Sequence, residues 1–157
     1  MSSLPEPIWR RRLESEFEEL QESGERFESN AELTEYVVSL KGPALYRESG
    51  RIFQRDSHSV KIELLRGYPY PGGIDVTWLT PIFHPNIREA DGKVCIQLLN
   101  DWAENQTVLA LVKSLRHLLA NPNPADPLNK EAAAYFLSNP DALYAPVKPA
   151  KPRIVVK

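Results

Sequence analysis

Cysteine is almost missing from this chain of 157 residues: Cys95 is the only one, beside seven glycines and a single methionine. One thiol cannot close an internal disulfide, and alone it cannot build a Cys-rich zinc site. The expected setting is therefore reducing and cytoplasmic. No apolar run approaches the ~18 residues that would cross a bilayer. The opening Met1-Ser2-Ser3-Leu4-Pro5-Glu6 has neither a basic nor an apolar stretch of the secretory kind, so neither membrane insertion nor export is expected. An excess of one charge sign is lacking too. Nineteen Lys and Arg against 21 Asp and Glu leave −2, which gives no whole-chain attraction to nucleic acid or an anionic membrane. Phosphate loops of the GxGxxG or GxxxxGK[ST] type are absent, and His58, His84 and His117 show no HxxxH spacing. No cofactor, nucleotide or metal is expected.

What is present is ordinary globular material, 42% apolar and 25% charged. Trp9, Leu13, Phe17 and Leu20 share one face of an amphipathic helix that Ser23-Gly24 can stop. Arg10, Arg11 and Arg12 open that helix, where positive charge opposes the helix dipole, so they are either a solvated face or a docking element. The period then changes. Tyr36, Val38 and Leu40 alternate with polar neighbours up to a break at Gly42-Pro43; Val60, Ile62 and Leu64 alternate next, then Ile74, Val76 and Trp78. A weaker fourth strand surrounds Ile52 and Phe53. Turn signals at Glu48-Ser49-Gly50 and Pro69–Gly73 point to an antiparallel meander.

Thr80 to Asn105 has no sustained period, and Cys95 lies inside it. Val108, Leu111, Val112, Leu115, Leu118 and Leu119 then form a second helical stripe, with Thr107 as N-cap and Asn121-Pro122 as its end. Asn129–Ser138 is a third helical segment. The order of elements gives a single α+β domain. His58 reads as loop and His117 as the polar side of the second helix.

A lone cysteine between Val94 and Ile96 is commonly an inert core residue. Three neighbours raise its interest: the tight-turn pair Asp91-Gly92, the run His84-Pro85-Asn86, and Asp101-Trp102. Together they offer a thiol, an amide donor and an imidazole in one irregular segment. An amide donor suits acyl chemistry, because attack on a carbonyl develops an oxyanion. Asn86 could equally brace a turn, and His84, held extended before proline, could bond backbone or act as a base.

His84-Pro85-Asn86-Ile87, Asp91-Gly92-Lys93-Val94-Cys95-Ile96, Trp102, and Asn121–Asn129 with Glu131-Ala132-Ala133 resemble the ubiquitin-conjugating (E2) enzyme family. The resemblance is clearest from Gly67 to Ser138. It implies an N-terminal helix, a four-stranded antiparallel meander, a long active-site segment and C-terminal helices, with residues 1–145 as one catalytic domain and 146–157 as a basic, proline-containing tail. It implies that Cys95 accepts a ubiquitin-like modifier from an E1-like enzyme as a thioester and passes it to a target lysine, usually with a RING-type ligase. Asn86 then supports the oxyanion or the active-site loop, Asp126 lies beside the incoming amine, and His84, Pro85 and Trp102 are structural. Arg10, Arg11, Arg12, Tyr70 and Ala103 fall on the partner-docking surface.

Two other readings use the same residues: a binding module of this fold without chemistry, and a cysteine hydrolase pairing Cys95 with His84. The sequence also departs from the family pattern. Asn86 to Cys95 is one residue longer than usual, and Cys95 to Trp102 one shorter. The docking loops read Tyr68-Pro69-Tyr70-Pro71-Gly72-Gly73 and Ala103-Glu104-Asn105, and Leu45–Ser59 lacks the usual strand signature.

Overall fold

The computed structural model of the chain describes residues 2–94, 99 and 102–144. Helix α1 spans Glu6–Glu22, and four strands follow: β1 Arg26–Ser29, β2 Glu35–Glu48, β3 Arg51–Leu64 and β4 Ile74–Trp78. Two helices, α2 Val108–Ala120 and α3 Lys130–Ser138, come after the aperiodic segment. The strands pair antiparallel in the order β1-β2-β3-β4, the meander that the alternating runs predict. Both C-terminal helices are capped as their sequences ask. Thr107 accepts a hydrogen bond from the Ala110 amide, and Asn129 accepts one from Ala132.

The expected strand inventory needs correction. The weak fourth strand is not separate: Arg51–Arg55 and Val60–Leu64 belong to one 14-residue strand, β3. Nor does Gly42-Pro43 end β2. The ladder slips there, between Lys41 and Ala44, and resumes to Glu48. Gly42 takes a φ of 146°, and Pro43 has no N–H to give, so this is a bulge that bends a continuing strand. Leu45–Ser59 is thus strand and turn despite its unpromising pattern. The hairpin turns at Ser49 and Gly50, with φ of 52° and 77°, the left-handed pair that tight hairpins favour. The true first strand, β1, carries one apolar residue, Phe27, too few to show a period.

His58 is not in a loop. It lies within β3, buried, and its Nε2–H donates to Gly42 O at 2.9 Å, supplying at the bulge a partner that the slipped ladder leaves wanting. Burial lowers its pKa.

Helices α1 and α2 cover one face of the sheet. Trp9, Leu13 and Leu20 from α1 and Leu111, Leu115 and Leu119 from α2 meet Tyr36, Val38, Val60 and Ile62 in one core. A smaller core joins Leu45, Phe83, Ala132, Phe136 and Leu143 where α3 packs. One position on α1 departs from the apolar stripe. Phe17 is only half-buried, and Glu16 is 2% exposed. Its carboxylate accepts from Arg12 Nε at 3.1 Å, from the Tyr68 hydroxyl, and from the backbone N–H of Val108 at 3.2 Å. A buried charge survives because three donors meet it, one of them at the N-terminus of α2. Burial first, and the Glu16 carboxylate second, raise the pKa of Tyr68.

Candidate functional site

The aperiodic segment is held by backbone bonds, not by a repeat. Trp78 N–H donates to Gly92 O at 2.8 Å, Gly92 N–H to Arg88 O at 2.8 Å, and Arg88 N–H to Lys93 O at 2.8 Å. Gly92 is required in this turn: its φ is 75°, and a Cβ would lie 2.0 Å from Trp78 O. Arg88 grips Asp91 through both carboxylate oxygens at 3.0 and 2.7 Å, and this pairing holds the Asp91 carboxyl down at about 2. Val94 bridges to Ile87. The residue after Val94 is Cys95, which lies outside the described residues, as do residues 145–157, the expected tail of 146–157 among them.

Around His84-Pro85-Asn86 the hydrogen bonds form a bracket. His84 is 2% exposed; its Nε2–H donates to Leu118 O at 2.9 Å, and its Nδ1 accepts from the Asn86 N–H at 3.0 Å. Both ring nitrogens are taken and the tautomer is set, leaving no lone pair for a thiol proton. Pro85 O accepts from Leu128 N–H at 2.9 Å and from Asn129 N–H at 3.0 Å. The Asn86 side chain donates to Asn123 O and accepts from Asn123 N–H, each at 2.9 Å. Pro85 and Asn86 therefore hold the loop before α3 at both ends, while His84 ties the same run to the end of α2. Asp126 stands between those two ties, exposed, with a φ of 54°. Asn123 lies in the motif run Asn121–Asn129, but its partner is 37 positions away, so no local signal gives it this role.

Burial drives the pKa of His84 down to about 4. An unfolded histidine titrates near ~6.5, so between the two values the unfolded chain binds the extra proton. The stability contributed by neutral His84 is complete above the upper value and is lost as pH falls toward the lower one, at up to ~1.4 kcal/mol per pH unit. A ring-nitrogen NMR titration is expected to find His84 neutral, protonated only on Nε2, at a pH midway between the two. An imidazolium signal there refutes the assignment.

The other expected residues fall in two groups. Trp102 is 2% exposed and packs 6.0 Å from Tyr68 in the main core. Arg11, Arg12, Leu4, Ile8, Pro69 and Glu104 line a groove of about 460 Å³, with Tyr70 and Ala103 next in sequence to two of them. The arginine triplet does not act as a unit. Arg10 lies over Trp9 at 5.0 Å, Arg11 is exposed, and Arg12 is tied by Glu16 and by Gln106 O at 2.7 Å. Exposed His117 lies on the polar side of α2, as its position in the helical stripe predicts. No described helix is long and apolar enough to cross a membrane.

Comparison with known proteins gives this arrangement a family. The family model described as ubiquitin-conjugating enzyme matches residues 12–149. Ubiquitin conjugating enzyme E2 B of Dictyostelium discoideum is 30% identical over 111 residues, covering 70% of this chain and 70% of that protein. Ubiquitin-conjugating enzyme E2 5 of Arabidopsis thaliana is 34% identical over 110 residues, covering 69% of this chain and 56% of the relative. Against E2 6 of the same plant the match is 32% over 121 residues, and the chain spans 63% of that protein's length. A Toxoplasma gondii ubiquitin-conjugating enzyme E2 domain shares the fold, with a TM-score of 0.68 at 22% identity over 85% of this chain and 89% of that one. A structure titled "Novel Ubiquitin-Conjugating Enzyme" superposes with a TM-score of 0.66 at 26% identity, covering 84% of this chain and 87% of its own. With the helix, meander and C-terminal helices in the order its motifs imply, this chain belongs to the ubiquitin-conjugating enzyme family.

Proposed function

We propose that this chain carries a ubiquitin-like protein as a thioester on Cys95 and delivers it to a lysine, in the reducing cytoplasm. The Cys95 thiolate attacks the carbonyl of the modifier's C-terminus, held as a thioester on an E1-like enzyme, and the E1 thiol leaves. An acceptor amine then attacks the new thioester. The tetrahedral oxyanion collapses, the Cys95 thiolate departs, and the amine's extra proton passes to Asp126 or to water. A thioester is already activated, so positioning and oxyanion stabilisation are the main tasks. Free lysine, with a pKa of ~10.4, is mostly ammonium at neutral pH. A carboxylate alone would deepen that preference, so the role proposed for Asp126 is to orient the amine and accept its proton.

The observation that carries this reading is the bracket at His84-Pro85-Asn86. It ties the Asp126 loop to the segment that leads, through Val94, to Cys95. One hydrogen on Asn86 Nδ2 is spent on Asn123 O; the second is the donor proposed for the oxyanion. The engaged nitrogens of His84 weigh against a hydrolase that needs a thiol–imidazole pair. For the groove beside Arg11 we propose the E1-like enzyme and a RING-type ligase as occupants. Apolar Leu4 and half-exposed Ile8 lie there next to an exposed guanidinium.

The test mixes the chain with an E1-like enzyme, its modifier and ATP. An adduct is expected on a non-reducing gel, and reductant should remove it; no adduct with any ubiquitin-like modifier overturns the reading. Asn86→Ala should charge at close to the parental rate and discharge to lysine about a hundredfold more slowly, since loop placement and oxyanion donor are lost together. Parental discharge would strip Asn86 of both roles.

A further inference from the structure

Arg47 lies near the far end of β2, paired across the ladder with Ile52. Its guanidinium rests on the Phe83 ring at 4.7 Å and reaches two carboxylates from different parts of the chain. Nε and Nη2 donate to Glu89 at 3.2 and 2.5 Å. Nη1 and Nη2 donate to Glu131 at 2.8 and 3.4 Å. A planar five-donor fork can make all four of these contacts at once, whereas an ammonium has three donors and no fixed plane.

These two carboxylates stand on opposite walls of a cleft. Glu89 belongs to the closed turn Arg88–Lys93, which leads directly to Val94 and Cys95. Glu131 belongs to the first turn of α3, just after the loop that bears Asp126. Between them lies an open space of about 420 Å³, bounded by Glu89 and Ala90 on one side and by Leu128, Lys130 and Glu131 on the other. Arg47 is the described side chain that bonds to both walls. The carboxylate of Glu131 is 73% exposed, and ion pairs so open to water contribute little to folding stability. What a double fork braced on an aromatic ring supplies is geometry.

We infer that Arg47 is a positioning residue: by fixing Glu89 and Glu131 at a set separation it sets the gap through which an acceptor lysine approaches the thioester. This rests on Cys95 and Asp126 acting as proposed above. The proposed action of Arg47 runs through Glu89 and Glu131.

The experiment compares a large and a small nucleophile in single-turnover discharge of the charged enzyme. Arg47→Met keeps the chain length over Phe83 and removes both forks. Charging, and discharge to hydroxylamine, which needs no cleft, are expected within about twofold of the parent. Discharge to free lysine should fall about tenfold, with the melting temperature nearly unchanged. The Glu89→Gln/Glu131→Gln double variant should reproduce that ratio, and adding Arg47→Met to it should change nothing further. An unaltered lysine-to-hydroxylamine ratio overturns the inference, as does an equal loss of both discharges together with melting temperature. If the parent never charges, the proposed function fails, and hydrogen exchange decides the brace on its own. Arg47→Met should then speed exchange in both 88–93 and 130–133, and unchanged protection in either segment overturns it.

Discussion

Cys95→Ala is expected to erase the modifier adduct completely, and Cys95→Ser to replace it with one that survives reductant. The chain has a single thiol, so no second sulfur can take over when the first is removed. Serine offers an oxygen of similar reach, but its alkoxide leaves far less readily than a thiolate. An ester formed there resists both thiols and lysine, and the adduct should accumulate where the parental one turns over. The contrast reads bond chemistry directly on a gel: thiol-labile in the parent, thiol-stable in the serine variant, absent in the alanine variant. A thiol-labile band persisting in Cys95→Ala would sink the assignment.

Glu16→Ala is expected to cost about 3–5 kcal/mol of folding stability, the range for breaking a buried ion pair by removing one partner. The alanine removes the acceptor of three donors at once. Tyr68 keeps a buried hydroxyl with its present partner gone, Val108 loses the acceptor of an amide at the start of α2, and Arg12 retains only Gln106 O. A side-chain-sized void is left as well. Urea unfolding should show the midpoint falling with an unchanged slope, because the same surface is exposed on unfolding. A loss under about 1 kcal/mol would mean that water or a shifted neighbour replaces the carboxylate. Glu16→Gln retains one oxygen and should fall between the two.

Where a short repeat of apolar residues exists, the fold is legible from it. The stripe Val108–Leu119 and the alternation in Tyr36–Leu40, Val60–Leu64 and Ile74–Trp78 each mark an element of the right kind. Three features escape for separate reasons. β1 buries no residue fully, so Phe27 alone cannot announce it. The slip at Gly42 moves later residues of β2 out of phase, and the alternation on each side cannot be joined across it. Glu16 occupies a core position with a charge, which a hydrophobic pattern reads as surface. The candidate site divides the same way. Motifs single out His84, Asn86 and Asp126 as candidates, and composition marks the turn at Asp91-Gly92. Asn123, Glu16 and Arg47 each reach a partner at least 37 positions away, up to 92 for Glu16 and Val108, and only the folded chain brings those distant partners near.

The bracket at Pro85 and Asn86 carries a consequence for how such a chain is made. Its ties reach forward to Asn123, Leu128 and Asn129, all of which follow Cys95 in the chain. Asn129 is joined 34 residues after Cys95, about 2–7 seconds later at ~5–20 residues per second. A nascent chain halted before Asn129 already contains Cys95, yet lacks a residue that the Pro85 carbonyl pairs with. The order of synthesis therefore sets an order of folding: the ties to Pro85 and Asn86 close only after residue 95 has been made.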